Sequence, residues 1–296
     1  MCLCYFAPDF MKKLGIVANC GKRDAPAVLK KLAAKVKKLG FELVADKASL
    51  CLLKHGKRIQ ASSHLGAVDA VMALGGDGTM LRAVRMLEGR DVPVIGLNLG
   101  ALGFLTSVVE GELDRALKAL VSGKYLTSTR AMVDAVVERK GRVVVKQRAL
   151  NDVVVSSGPS NRVVVLGLAI DGDKVTSYVC DGLIVSTPTG STGHSLSAGG
   201  PILTPETPAF VISLICPHTL SSRPLVVPDR SEIEVSVAKA SGKILFSADG
   251  QMALNLNEGD KVKIRRSEKN VRFIHLPGHS YFDVLRRKLH WSGSNV

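Results

Sequence analysis

Short apolar runs alternate with segments of helical periodicity over the first 121 residues, and this alternation restricts the fold more than any other feature of the chain. Residues 14–18, 70–74 and 92–97 read as buried strands. The segment after the first strand has apolar side chains three and four residues apart, as on one face of a helix, at Val28, Leu29, Leu32, Val36 and Leu39. Such alternation is typical of a parallel sheet covered by helices, with ligands at the carboxyl ends of the strands. The sequence therefore predicts an N-terminal α/β domain with a Rossmann-like parallel sheet.

Beyond residue 125 the chain is rich in Val and Ile, and its pattern becomes strand-like. The predicted strands lie at residues 133–138, 142–145, 153–155, 163–170 and 233–237. Lys140-Gly141 and Asp171-Gly172 read as hairpin turns between successive strands. Because β-branched residues favour pleated, half-buried surfaces, this region predicts a β-rich C-terminal domain with an antiparallel sheet layer.

The last segment has a different pattern again. Residues 281–291 carry Phe282, Leu285 and Leu289 at helical spacing, which predicts a short amphipathic helix that packs back on the first domain. We therefore predict an α/β domain at residues 11–125, a β-rich domain at 126–276, and a C-terminal helix at 277–296 that returns to the first domain.

Length and composition exclude several classes of protein. None of the apolar stretches in the 296 residues approaches the roughly 20 residues of a membrane-spanning helix. Residues 1–10 lack the basic start and the small-residue cleavage site of a signal peptide, so we expect a cytoplasmic protein in which this segment lies outside the fold. The six cysteines show neither metal-site spacing nor the density of a disulfide scaffold, which fits a reducing compartment.

The formal net charge of +14 would attract polyanions of any kind. Nucleic-acid binding is nevertheless disfavoured, because only 4% of the residues are aromatic and no recognised binding motif is present. Small phosphorylated ligands account for the charge as well as nucleic acid would. We expect small-molecule partners, with neither nucleic acid nor membrane among them.

A glycine-rich segment stands between a predicted strand and a predicted helix, Gly75-Gly76-Asp77-Gly78-Thr79. Glycines let the backbone approach a phosphate closely, and the free N–H groups of a helix N-terminus attract anions. A carboxylate held there can accept a proton. The alternative is a tight turn in which Asp77 only caps the helix. The segment is neither a P-loop nor a Gly-x-Gly-x-x-Gly fingerprint.

A second unusual segment spans residues 181–201 and is dense in glycines and hydroxyl side chains. Five hydroxyls fall within seven residues, at Ser186, Thr187, Thr189, Ser191 and Thr192. They supply donors and acceptors suited to ribose and phosphate, although an ordinary Ser/Gly loop would have a similar composition. Because long loops in compact domains are usually functional, we favour a binding role. Asn151-Asp152, before the apolar triplet 153–155, is by itself only a plausible turn.

Together these segments resemble the NAD kinases in matching order over nearly all of residues 13–291. The shared motifs are Gly75 to Thr79, Asn151-Asp152, Ser186 to Thr192, Ser197-Ala198-Gly199-Gly200-Pro201, Arg223-Pro224-Leu225 and Asp249-Gly250-Gln251. Diacylglycerol kinases, sphingosine kinases and phosphofructokinases share variants of the first motif, so that motif alone does not identify the family. The Ser-Thr-Pro-Thr-Gly-Ser-Thr tract makes the resemblance specific.

The resemblance implies an enzyme that transfers the γ-phosphate of ATP to the adenosine ribose 2'-hydroxyl of NAD, giving NADP, with Asp77 as general base. It implies that residues 11–125 hold the phosphate donor and the catalytic loop, and that residues 126–276 bind NAD. A divalent cation, most simply Mg²⁺, would be bound largely through nucleotide phosphates. A homodimer or homotetramer is expected by the same resemblance.

It also implies which residues contact the dinucleotide. Phe104 would stack on adenine, and Asn151 with Asp152 would hold ribose hydroxyls or the nicotinamide side. The remaining expected contacts are Gly76, Gly78, Arg82, Arg162, Asp181, Thr192, Gly193, His194, Ser195, Leu196, Ser197 and Gln251.

Two positions depart from the family pattern. The family commonly has Glu at the position of Asp152, and an Ala-Tyr pair at Gly193-His194. Asp keeps the charge with a shorter reach, and imidazole can still stack and form hydrogen bonds. We expect altered selectivity between NAD and NADH rather than loss of activity. A lipid kinase and a non-catalytic NAD(H) sensor remain alternatives, and the choice between ATP and polyphosphate as donor stays open.

Overall fold

The computed structural model describes residues 11–52, 60–61, 65, 67–100, 103–158, 163–240, 242–251 and 254–291. The chain divides into two compact units: the described residues up to Thr129 and from Val271 onward, and residues 130–270. These units are defined by packing alone. The functional domains predicted at 11–125, 126–276 and 277–296 are a separate division of the chain, and they stay predictions. None of the helices that the structure describes is long and apolar enough to cross a membrane.

The helices are α1 (Ala25–Lys38), α2 (Lys47–Cys51), α3 (Asp77–Met86), α4 (Leu113–Ser122), α5 (His194–Ser197) and α6 (Tyr281–Leu289), with 3-10 turns at Glu110–Glu112 and Thr189–Thr192. The strands of the first part of the chain are β1 (Lys13–Ala18), β2 (Glu42–Ala45), β3 (Gln60–Ala61), β4 (Ala70–Gly75), β5 (Val94–Asn98), β6 (Val108–Val109) and β7 (Leu126–Arg139). Those that follow are β8 (Arg142–Ala149), β9 (Asp152–Ser157), β10 (Val164–Ile170), β11 (Asp173–Cys180), β12 (Gly182–Ser186), β13 (Ala209–Ile215), β14 (Leu225–Pro228), β15 (Ile233–Ala240), β16 (Ile244–Ala248), β17 (Leu254–Leu256) and β18 (Lys261–His275).

The first unit is a parallel sheet in the order β5-β4-β1-β2-β3, and β6 and the end of β18 also pair with β5 in parallel. The apolar face of α1 packs on this sheet, because Leu29 and Leu32 belong to the same core as Ile16 and Met72. At the other end of the chain, α6 buries Val284 and Leu285. The predicted α/β domain and the C-terminal helix that packs back on it are both confirmed.

The second unit is built from two antiparallel sheets that share one core. One sheet has the order β14-β13-β12-β9-β16-β17, and the other joins β11, β10, β15 and β18 to the β7–β8 hairpin. Alternate side chains of both sheets meet in the core, among them Val155, Leu166, Phe210 and Phe246. The predicted β-rich domain is confirmed.

At the carboxyl edge of the parallel sheet, the loops after β1 and β4 lie side by side. Asn19 N donates to Leu74 O at 2.8 Å, just beyond the point where β1 ends. Gly75 permits this close approach, because a Cβ added there would lie 2.2 Å from Thr79 Oγ1 and 3.0 Å from Asn19 Cβ. This edge therefore brings the glycine-rich segment next to residues 19–23.

Candidate active site

Asp77 is the first residue of α3, and Gly76 is the N-cap, which has no side chain to cap the helix. The Asp77 carboxylate instead contacts the loop after β5: Oδ2 accepts from Phe104 N at 2.9 Å and Oδ1 from Leu105 N at 3.0 Å. The alternative in which Asp77 only caps its own helix is therefore wrong. Two backbone amides fix the orientation of a half-buried carboxylate at the positive end of a helix.

The glycines around Asp77 serve two different purposes. A Cβ at Gly103 would lie only 2.0 Å from Asp77 Oδ1, so this position must stay a glycine for the carboxylate to reach its two amides. At Gly76 and Gly78, by contrast, an added Cβ would meet no heavy atom within 4 Å. Open space of this kind beside backbone N–H groups is what a phosphate needs.

Arg82 lies one turn further along α3, and the structure places its guanidinium at the end of β1. Nη2 donates to Ala18 O at 2.7 Å and lies 3.5 Å from Asp46 Oδ2. Its Nε is buried and has no hydrogen-bond partner. Arg82 thus anchors α3 to the sheet through Nη2, while its Nε stays unsatisfied. Asp46, which is the N-cap of α2, was not predicted as a site residue.

Phe104 is half-buried, and its ring lies 5.5 Å from Lys288 Nζ of α6, within the range of a cation–π contact. Lys22 was not predicted as a site residue. Its side chain lies near Gly100, in the same loop that contacts Asp77, because a Cβ added at Gly100 would lie 3.3 Å from Lys22 Nζ. The turn that carries Lys22 is fixed by the bond from Gly21 N to Asn19 Oδ1 at 2.9 Å. The Lys22 ammonium therefore lies at the carboxyl edge of the parallel sheet, where a phosphate would bind.

In the second unit, Asn151 and Asp152 lie where β9 begins. Asn151 is half-buried, and its Oδ1 is buried without a hydrogen-bond partner. Asp152 is 6% exposed. Burial, and then the neighbouring negative charge of Asp249, raise the pKa of Asp152 to about 7. The site therefore offers one unsatisfied acceptor and one carboxyl group that can change its protonation state near neutral pH.

The hydroxyl-rich tract is mostly ordered secondary structure: β12, a 3-10 turn and the short helix α5. Several of its hydroxyls are buried and bond inside the protein. Thr187 Oγ1 donates to Leu150 O at 2.6 Å, and Ser191 Oγ donates to Pro188 O at 2.7 Å. Ser195 Oγ lies 3.0 Å from Ser213 Oγ. These groups build the tract, whereas Thr189 Oγ1 is buried without a partner.

The other predicted contacts in this unit lie near the same tract or near β16. Thr192 is buried, and its Oγ1 donates to Thr189 O at 3.4 Å. Asp181 is half-buried before β12, and Gln251 is exposed beyond β16. Around the turn into α5, Gly193 and Leu196 are half-buried while His194 and Ser197 are exposed. Arg162 lies outside the described residues.

The predicted residues thus fall into two groups. The first unit holds Gly76, Asp77, Gly78, Arg82 and Phe104 around one sheet edge, and the second unit holds the described remainder around β9 and β12. Asp249, which the sequence marked only as part of a motif, contacts three backbone amides of residues 150–152. Its contacts lie about a hundred residues away in the chain, and no local pattern could have indicated them.

An α/β unit with an oriented carboxylate in a glycine-rich strand-to-helix turn, followed by an antiparallel β-rich unit, is compatible with a two-domain phosphotransferase. Family models give the particular assignment. The ATP-NAD kinase N-terminal domain matches residues 14–125, and the ATP-NAD kinase C-terminal domain matches residues 150–276. The chain belongs to the ATP-NAD kinase family, a family of phosphotransferases.

Individual relatives agree with this assignment over their whole length. The NAD kinase of Syntrophotalea carbinolica is 39% identical over 282 residues, which is 95% of this chain and 99% of the relative. That of Gemmatimonas aurantiaca is 38% identical over 284 residues, covering 95% and 96%. The resemblance inferred from the motifs is confirmed.

Two solved structures share the fold. An NAD kinase from Archaeoglobus fulgidus in complex with ATP superposes with a TM-score of 0.75 at 27% identity, covering 95% of this chain and 100% of that one. Yeast NADH kinase complexed with NADH gives a TM-score of 0.89 over 97% and 90% of the two chains. At 22% identity, this second likeness concerns the fold alone.

Proposed function

We propose that this protein is an NAD kinase, which transfers the γ-phosphate of ATP to the adenosine ribose 2'-hydroxyl of NAD and so produces NADP, with Asp77 as general base. The observation that carries the proposal is the orientation of Asp77. Its carboxylate is held by two backbone amides at the start of α3, beside the open backbone at Gly76 and Gly78. In that position it can accept the proton that the hydroxyl loses as it attacks phosphorus.

Phosphoryl transfer depends mainly on positioning and on neutralising charge. Backbone N–H groups at the start of α3, together with the Lys22 ammonium, would supply fixed positive charge for the donor phosphates. The Arg82 guanidinium would contact the dinucleotide, as the resemblance implied. The same groups would serve ATP or polyphosphate, because both present a chain of phosphoryl oxygens.

The family also implies a divalent cation, and the side chains of the described residues fit a cation that is bound through the nucleotide. The described residues contain no group of three or more His, Cys, Asp or Glu side chains that could hold a metal ion. Mg²⁺ would therefore be held mainly by the phosphates of the donor and by water, as is common for this ion. Its chemical contribution would be to offset the negative charge of the transferred group.

For the dinucleotide, the unsatisfied Oδ1 of Asn151 and the carboxyl of Asp152 are the groups best suited to hold hydroxyl or amide groups of NAD. His194 and Gln251 are exposed and would approach NAD from the surface of the same unit. We propose that the shorter Asp152 and the imidazole of His194 change the preference between NAD and NADH relative to family members with Glu and Tyr.

The test is a coupled assay for NADP formation from NAD, ATP and magnesium, comparing the wild type with Asp77→Asn. The amide keeps the shape of the side chain but cannot take up the proton. We expect kcat to fall by about 10²- to 10⁴-fold, while NAD binding measured by calorimetry persists.

Asp69→Asn is the matched control. Its carboxylate also accepts two backbone N–H groups, from Lys12 at 2.6 Å and Lys13 at 2.8 Å, but it lies at the amino end of β4. We expect this variant to keep the wild-type kcat. Equal kcat in the wild type and in Asp77→Asn would refute the role of Asp77. No NADP from the wild type, with NAD still bound, would favour the sensor alternative.

We further propose that the protein acts in the cytoplasm as a homodimer or homotetramer, as the resemblance implied. Size-exclusion chromatography with light scattering tests the assembly. A monomeric mass at all working concentrations would contradict it.

A further inference from the structure

A single carboxylate holds the start of β9. Asp249 Oδ1 accepts from Asn151 N at 2.7 Å and from Asp152 N at 3.3 Å, and Oδ2 accepts from Leu150 N at 2.9 Å. In return, Asp249 N donates to Asp152 O at 3.0 Å. The β9–β16 ladder ends at the pair Val153 and Ala248, so the side chain of Asp249 continues the bonding where the strand pairing stops.

The other side of the same segment is fixed by the hydroxyl-rich tract. Thr187 Oγ1 donates to Leu150 O at 2.6 Å, and Thr187 N donates to Asn151 O at 2.9 Å. Gly190 packs directly on this backbone, because a Cβ there would lie 2.1 Å from Asn151 O. Residues 150–152 are therefore held from both sides through their main chain, which leaves the side chains of Asn151 and Asp152 for other contacts.

We propose that Asp249 is a positioning residue for dinucleotide binding: it fixes the backbone of residues 150–152 so that Asn151 and Asp152 face NAD. The inference rests on the proposed function, since it takes NAD as the ligand of these two side chains. Asp249 acts through the segment that it holds.

The negative charge of Asp249 also acts on Asp152, because few other ionisable groups surround that carboxyl. Its strand neighbours β12 and β16, and the 3-10 turn Thr189–Thr192, contain no ionisable side chain, and Asp249 directly follows β16. Burial and this one neighbouring carboxylate raise the pKa of Asp152 to about 7. Removing the charge of Asp249 should therefore lower the pKa of Asp152 without changing its burial.

Two substitutions separate the two effects of Asp249. Asp249→Asn removes the charge and keeps one oxygen, which can accept from the amides of Asn151 and Asp152, but it loses the bond from Leu150 N. Because burial contributes more than Asp249 to the raised pKa of Asp152, we expect the midpoint of the pH dependence of KM for NAD to move down by about 1 pH unit. Asp249→Ala removes the bonds as well, and we expect KM for NAD to rise by about 10- to 100-fold at every pH, with KM for ATP unchanged.

The matched control is Asp171→Ala in the same unit. Asp171 also has a positive φ, of 51° against 52° for Asp249, and is also followed by a glycine with positive φ. Its carboxylate likewise accepts a backbone N–H, from Glu232 at 2.8 Å, but it lies in the β10–β11 turn. This variant should leave KM for NAD and its pH dependence at the wild-type values, although it removes a comparable turn contact.

Steady-state kinetics and calorimetric Kd values for NAD, measured from about pH 5 to pH 9 for the three variants and the wild type, test the proposal. Unchanged affinity for NAD in Asp249→Ala would overturn the positioning role, as would an equal loss in Asp171→Ala. An unshifted midpoint in Asp249→Asn would overturn the effect of the Asp249 charge on the protonation of Asp152.

If Asp249→Ala does not fold, Asp249→Asn still gives both tests: the lost bond from Leu150 N should raise Kd for NAD, and the lost charge should lower the midpoint. A wild type that binds NAD without producing NADP would refute the proposed function, while the Kd comparison would still decide the role of Asp249. A wild type that does not bind NAD would refute both proposals.

Discussion

Replacing Asp152 with Asn should stabilise the folded protein near neutral pH, and the gain should grow as the pH rises. Asp152 is 6% exposed, and its pKa is raised from the ordinary 3.8 to about 7 by burial and by Asp249. Between these two values the folded state holds a proton that the unfolded state has already released. The folded state therefore loses stability as the pH rises from about 4 to about 7, and the loss is constant at higher pH.

The size of the effect follows from the two pKa values. The difference corresponds to about 4 kcal/mol at pH 7 and above, as an upper limit, and to between about 1 and 2 kcal/mol at pH 5. Asn has nearly the same shape as Asp and does not ionise, so the variant escapes this penalty. The advantage of the variant in free energy of unfolding should increase by about 3 kcal/mol between pH 5 and pH 8.

Urea unfolding followed by far-ultraviolet circular dichroism, for wild type and Asp152→Asn at both pH values, measures this difference. Asp173→Asn, which removes an exposed carboxylate from β11, controls for the loss of one negative charge. An advantage of the same size at both pH values would refute the reasoning. So would a variant that is less stable than the wild type at the higher pH.

Three further substitutions test the packing around the two groups of site residues. Gly103→Ala should lower kcat for NADP formation about 100-fold with an unchanged melting temperature. The new Cβ would lie 2.0 Å from Asp77 Oδ1 and must displace the carboxylate. A wild-type kcat would contradict this prediction. Gly190→Ala should lower the free energy of unfolding in urea by about 1 to 3 kcal/mol and raise KM for NAD. The reason is that its Cβ would lie 2.1 Å from Asn151 O, a backbone atom that cannot easily move. An unaltered KM would count against this prediction. Phe246→Ala should lower the free energy of unfolding by about 3 to 5 kcal/mol in the same urea measurement, because Phe246 is fully buried. A loss below about 1 kcal/mol would contradict this and show that the core closes around the smaller side chain.

The fold of the first unit could be predicted because its apolar residues repeat with clear periods. The predicted strands at 14–18 and 70–74 correspond to β1 and β4, and the helical face from Val28 to Val36 is buried in α1. In the second unit, both hairpin turns were also correct, since Lys140 and Asp171 have positive φ and each precedes a glycine. Turn chemistry of this kind is local, and the sequence alone can therefore reveal it.

Long-range pairing explains what the sequence did not reveal in the second unit. β18 runs for 15 residues but carries seven Lys, Arg or Glu side chains, so its alternation is interrupted wherever the strand faces solvent. β12 lies inside the tract that we interpreted mainly as a binding segment, and it is fully buried between β9 and β13. Strands such as these are stabilised by their neighbours, and a neighbour far away in the chain leaves no local pattern.

The candidate site shows the same limit in its side chains. The position of Asp77 followed from the strand-to-helix motif, but its two bonding partners are backbone amides 27 and 28 residues away. The hydroxyls of the Ser/Thr tract were expected to face ribose and phosphate, yet those of Thr187 and Ser191 satisfy carbonyls inside the protein. Short hydroxyl side chains commonly bond to nearby backbone, so composition alone cannot tell a binding loop from a rigid support.

Hydrogen bonding by itself does not distinguish a catalytic carboxylate from a structural one in this protein. Asp69 and Asp77 each accept two backbone N–H groups and stand at opposite ends of the same strand, β4. What differs is the end of the strand. Beyond Asp69 the chain enters β4 with no helix start, whereas Asp77 begins α3, where the unpaired amides and the helix dipole attract phosphate. The glycines at 76 and 78 also leave open space there. A carboxylate becomes a candidate base only where its surroundings could also bind the group that reacts, and of these two positions the carboxyl end of β4 has the helix start and the open space for it.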